Sequence, residues 1–94
     1  MSIKLVLVVA IILYILLYNY EFHCFVVIEL KVREMTKEDI GQIQVYMNAI
    51  NKDVKSINDD NTIGIIICKK DNQLLLSYCS DARIFATKYV LEGE

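Results

Sequence analysis

The chain has 94 residues, 55% of them apolar, with 12 acidic and 10 basic residues and a formal charge of −2. That length holds at most one small domain, the Ile, Leu and Val content excludes intrinsic disorder, and the charge balance argues against nucleic-acid binding by phosphate neutralisation alone. Cys24, Cys68 and Cys79 are odd in number, far apart and without a C-x-x-C pair, so no disulfide framework or zinc site is indicated and a reducing, cytoplasmic compartment is the default.

Residues 1–20 carry Lys4 and no acid, whereas residues 21–94 carry every acidic residue, which divides the chain into an apolar segment (1–20) and an ordinary α/β portion (21–94). Leu5 to Tyr18 is an unbroken apolar and aromatic run. It reads as a signal-peptide core, a short membrane helix or a pair of buried strands. A membrane crossing needs about 20 apolar residues, and this run ends at Asn19 with Glu21 and His23 behind it. No A-x-A-like cleavage site follows. Tyr14, Tyr18 and Tyr20 suit a membrane interface, and with Val6, Val8, Val9, Ile11, Ile12 and Ile15 they suit strands equally well.

Cys24-Phe25-Val26-Val27-Ile28-Glu29-Leu30-Lys31 reads as a strand. Side chains alternate faces with a period of two, so Phe25, Val27, Glu29 and Lys31 share one face and Val26, Ile28 and Leu30 the other. Thr36 is a natural N-cap with Asp39 three residues on, in the manner of a capping box. Ile40, Ile43, Met47, Ile50 and Val54 then recur at spacings of three and four, which predicts a helix with one apolar stripe; Lys37, Glu38, Asn48, Asn51, Lys52 and Lys55 face water. Gly41 inside that helix costs about 1 kcal/mol relative to alanine and suggests a close backbone approach. Asn58 to Asn61 closes the helical region. Thr62 to Cys68 is a continuous apolar run expected to be a strand covered on both faces. Asp71-Asn72 marks a turn, which makes Leu74 to Cys79 the second arm of a hairpin, and Ile84 to Val90 offers a last short strand or a ragged helical turn. The expected fold class is α/β, a mixed sheet with one main helix packed on it.

The chemistry lies at the end of the Cys24–Lys31 strand. Glu29-Leu30-Lys31 projects a carboxylate and an ammonium side by side, the arrangement with which nucleases hold a divalent metal and steady developing charge; an ordinary half-exposed ion pair has the same spelling. A hard cation such as Mg²⁺ calls for a second acid, and Glu21 and Glu34 are nearest in sequence. Gln42 and Tyr46 lie one helical turn apart and point the same way, toward a strand-end site or a substrate backbone, or simply along the helix margin. His23 at the strand entry reads as a partly buried, hydrogen-bonded residue.

In chain order the E-x-K strand, the helix segment Asp39-Ile40-Gly41-Gln42-Ile43-Gln44-Val45-Tyr46, the pieces Asn61-Thr62-Ile63-Gly64 and Cys68-Lys69, and Ile84-Phe85-Ala86-Thr87-Lys88-Tyr89 together resemble the C-terminal part of the YhcG-like PD-(D/E)XK nuclease-domain proteins, from about Tyr18 to Leu91. The resemblance implies a restriction-endonuclease-like core and Mg²⁺-dependent phosphodiester hydrolysis of DNA. It makes Glu29 the metal-binding acid, Lys31 the catalytic lysine, and Gln42 and Tyr46 the substrate-binding Q-x-x-x-Y pair. The family's first metal-binding aspartate sits on the preceding strand, yet residues 1–20 contain no acid, so Tyr14 or nothing takes its place. The expectation is therefore a truncated, inactive nuclease module. Alternatives are a small membrane-anchored protein held by Leu5–Tyr18 with a soluble α/β tail, and a non-catalytic nucleic-acid-binding or dimerisation module acting as a homo-oligomer.

Overall fold

The computed structural model describes residues 5–11 and 14–90, and within them five strands form one sheet with two helices. The apolar N-terminal run is two strands, β1 (Leu5–Ile11) and β2 (Tyr14–Asn19), not a helix; no helix among the described residues is long and apolar enough to cross a membrane. A turn over Tyr20–His23 leads into β3 (Cys24–Leu30), and β1, β2 and β3 run antiparallel. His23 is exposed in that turn with φ 54, a left-handed conformation histidine tolerates better than most residues, so it is a turn former and not the partly buried residue expected. Helix α1 (Lys37–Asp53) and the shorter α2 (Gln73–Ser77) then carry the chain across to β4 (Ile63–Cys68) and β5 (Ile84–Lys88), both parallel to β3. The strand order in the sheet is the order in the chain.

The core lies between α1 and one face of the sheet. Ile40, Ile43 and Met47 of α1 meet Val27, Ile66, Cys68 and Ile84, with Leu75, Leu76 and Cys79 packed at the margin. Each such aliphatic side chain contributes roughly 1.5–3 kcal/mol by leaving water. The predicted stripe holds through Ile50, which is half-buried, and fails at Val54, an exposed C-cap. Asn51, expected to face water, instead accepts both the Thr62 N–H (2.9 Å) and the Thr62 hydroxyl (2.8 Å), tying the end of α1 to the start of β4.

The close backbone approach is at Gly64, not Gly41. A Cβ on Gly64 would lie 2.5 Å from Met47 Sδ and 2.9 Å from Ile43 Cδ1, so the helix rests directly on the β4 backbone, whereas a Cβ on Gly41 would meet nothing within 4 Å. Nor is β4 covered on both faces: Gly64, Ile66 and Cys68 are buried beneath α1, but Ile63, Ile65 and Ile67, which alternate with them, remain half-buried.

The expected hairpin is also absent, because Gln73–Ser77 is a helix. Asn72 caps it by accepting the Leu75 N–H (2.9 Å), and the unbranched leucines lose little rotamer freedom in a helical turn. That segment is a crossover, which is why β5 runs parallel to β4. At the start of α1 the carboxylate of Asp39 accepts the Thr36 N–H (2.9 Å), the reciprocal half of the predicted capping box.

Candidate functional site

The predicted strand-end residues gather where β2, β3 and α1 meet. Antiparallel pairing sets Tyr14 directly opposite Glu29. The Tyr14 hydroxyl lies 3.4 Å from Glu29 Oε1 and 3.3 Å from Gln42 Oε1 and, with one proton, donates to one of them at a time. The Tyr14 ring packs on Tyr46 with centroids 4.2 Å apart and planes tilted by 38°. Gln42 and Tyr46, one helical turn apart, thus both face Tyr14. Lys31 Nζ is 3.1 Å from Glu29 Oε1, as the shared strand face requires. Glu29, Lys31, Gln42 and Tyr46 are therefore brought together, with Tyr14 among them.

Glu29 is fully buried, and its second oxygen, Oε2, has no hydrogen-bond partner among the described residues. Burial pushes its pKa above the ordinary carboxylate range; the Lys31 ammonium pulls the other way and does not compensate. The Tyr14 phenol is pushed up to about 12, first by burial and then by the neighbouring Glu29 charge, so it stays neutral across the physiological range.

The sequence reading missed Asp39 as a member of this cluster. Beyond capping α1 it is 1% exposed and takes two hydrogen bonds from the Arg33 guanidinium, 2.8 and 3.0 Å. Burial alone would raise its pKa, but Arg33 and the Thr36 N–H prevail and hold it below the usual range. Lys31 Nζ lies 4.0 Å from Asp39 Oδ1 and so stands between the two carboxylates. The Asp39 signal was visible only as a capping-box acid, because its pairing with Arg33 spans the link between β3 and α1, which no single-element spacing describes.

Whether these groups suit the divalent cation implied by the resemblance follows from their donors. A hard cation is held by carboxylate oxygens with water and substrate phosphate. Here Glu29 offers a single carboxylate, its Oε1 held by Lys31 and only its Oε2 open, Asp39 is engaged by Arg33, and a neutral phenol stands where a second anionic oxygen would be needed. No group of three or more His, Cys, Asp or Glu side chains gathers among the described residues. The donor set does not fit a hard divalent cation.

Comparison with known proteins agrees with the fold. A family model described as the YhcG PDDEXK nuclease domain matches residues 7–93. A solved repair endonuclease from Pyrococcus abyssi superposes with a TM-score of 0.62 at 16% identity, over 80% of this chain and 31% of that one. The chain thus spans about a third of that protein's length, and the likeness is one of fold. No curated protein matches the chain.

Proposed function

Because the chain belongs to the YhcG PDDEXK nuclease-domain family, we propose that it is a cytosolic, nucleic-acid-associated nuclease module that does not itself hydrolyse DNA. PDDEXK nucleases are generally divalent-metal dependent, and on this reading Glu29 occupies the metal-binding position, Lys31 the catalytic lysine position, and Gln42 and Tyr46 flank the substrate. The observation that carries the inactivity is Tyr14 facing Glu29 across the β2/β3 ladder, with its hydroxyl on Glu29 Oε1. A phenol pushed up to about 12 by burial and by the Glu29 charge stays neutral and supplies no anionic oxygen for a hard cation and its water. What remains chemically is a neutral-to-cationic strand end able to orient a phosphate through Lys31 and to hydrogen-bond it through Gln42.

Purified protein incubated with Mg²⁺ or Mn²⁺ and supercoiled or linear DNA is expected to leave both substrates intact. Cleavage that disappears in Glu29→Ala overturns the inactivity. In parallel, calorimetric titration with Mn²⁺ should give no binding heat for the native chain and a measurable one for Tyr14→Asp, which puts a second carboxylate opposite Glu29.

A further inference from the structure

Three segments leave the parallel strands at one end of the sheet: Val32 to Glu34 after β3, Lys69 and Lys70 after β4, and Lys88 at the end of β5. Main-chain hydrogen bonds continue past the strands and hold these segments in register. Lys69 N–H donates to Arg33 O (3.1 Å), Met35 N–H to Lys70 O (2.9 Å) and Tyr89 N–H to Cys68 O (3.0 Å), while Lys88 pairs with Cys68 in the β4/β5 ladder. Between them lies a cleft of about 700 Å³ lined by Val32, Arg33, Glu34, Lys69, Lys70 and Lys88.

The lining sets four cations against the single carboxylate of Glu34, in a chain whose net charge is −2. Arg33 is committed to Asp39, but Lys69, Lys70 and Lys88 are exposed and enter no ion pair among the described residues. Three exposed lysines carried on one ordered rim make a local positive field that a polyanion complements. Phosphates spaced along a chain answer several point charges at once, and the exposed Val32 among them gives an apolar surface for sugar carbons.

We propose that this cleft docks the phosphodiester backbone of a nucleic-acid strand without metal, through Lys69, Lys70 and Lys88. The cleft borders the Glu29 and Lys31 cluster through Arg33, which pairs with Asp39, but Lys69, Lys70 and Lys88 take no part in that cluster's contacts, and the inference rests on the nucleic-acid reading above. It explains how an acidic chain can hold a polyanion: the charge that matters is local.

The test is fluorescence anisotropy of the full chain with short fluorescein-labelled duplex DNA and single-stranded RNA in EDTA, as a function of salt. Each lost phosphate contact flattens the plot of log affinity against log salt by roughly 0.7 to 0.9. Lys69→Ala/Lys70→Ala/Lys88→Ala should flatten it by about 2 to 3 and weaken binding by at least about 10-fold at low salt. The triple arginine variant should keep the slope, as should Lys37→Ala/Lys52→Ala on the exposed face of α1, and circular dichroism checks that each variant folds. An unchanged slope in the triple alanine variant overturns the assignment of this cleft while leaving the nucleic-acid reading intact. Native protein that binds neither polymer overturns that reading and the inference with it, and so does preferential binding to phosphatidylserine vesicles.

Discussion

Replacing Glu29 with glutamine separates two forces that act on this carboxylate in opposite directions. Burial raises its pKa and Lys31 lowers it, and burial prevails. A carboxyl whose folded-state pKa lies above its unfolded value binds more protons folded than unfolded. Its stabilising contribution is therefore complete below the ordinary carboxylate range and is lost as pH rises through the folded pKa. Glutamine has nearly the same shape and cannot ionise. At about pH 4 the two proteins should differ by less than roughly 0.5 kcal/mol, since both carry a neutral side chain. By about pH 8 the glutamine variant should be ahead by about 1–3 kcal/mol, the cost of burying a charged oxygen such as Oε2 without a partner. Glutamine still offers Lys31 an amide oxygen, and Asp39 Oδ1, 4.0 Å from its ammonium, remains as a counter-charge, which limits the offset from breaking the pair. Urea unfolding of both proteins, followed by circular dichroism at the two pH values, measures the difference, and the remaining carboxylates cancel in the comparison. A glutamine variant that loses ground as pH rises would show that the Lys31 pair outweighs burial, and the raised pKa of Glu29 would be wrong.

Gly64→Ala drives a methyl group into Met47 Sδ and Ile43 Cδ1 and should lower the unfolding free energy by about 1–3 kcal/mol in the same urea assay, whereas Gly41→Ala should stabilise by up to about 1 kcal/mol. Asp81, hydrogen-bonded by Arg83, has its pKa held down to about 2, so the stability it contributes is present above the ordinary carboxylate range and disappears as pH falls toward 2. Asp81→Asn should accordingly be less stable than the native chain at neutral pH, with the gap closing in acid; a gap independent of pH counts against this ion pair as its source.

The β3 strand and α1 could be read from residue spacing because their periods, two and about 3.6, persist long enough to be distinguished. Helix α2 could not, since five residues complete hardly more than one turn and Leu74 to Leu76 suit a strand as well. Tyr14 was placed opposite Glu29 only when the Tyr20–His23 turn set the β2/β3 register, which no local pattern specifies. Gly41 looked like the contact glycine because glycine is unusual inside a helix, yet the demand came from the helix on the facing strand, at Gly64. The lysine cleft was hidden for another reason. Net charge sums over the whole surface, and Lys69, Lys70 and Lys88 converge only because parallel strands end together.

A sheet whose spatial order repeats its chain order can be assembled from one side. During synthesis the β1, β2 and β3 meander can pair before α1 has left the ribosome, and each later crossover adds one strand to an edge that already exists. No strand is ever inserted between two others. Among the described strands the growing edge moves from β3 to β4 to β5 while β1 keeps the opposite edge, and β5, five residues long and ending in a lysine, is short and charged enough to discourage pairing with another chain.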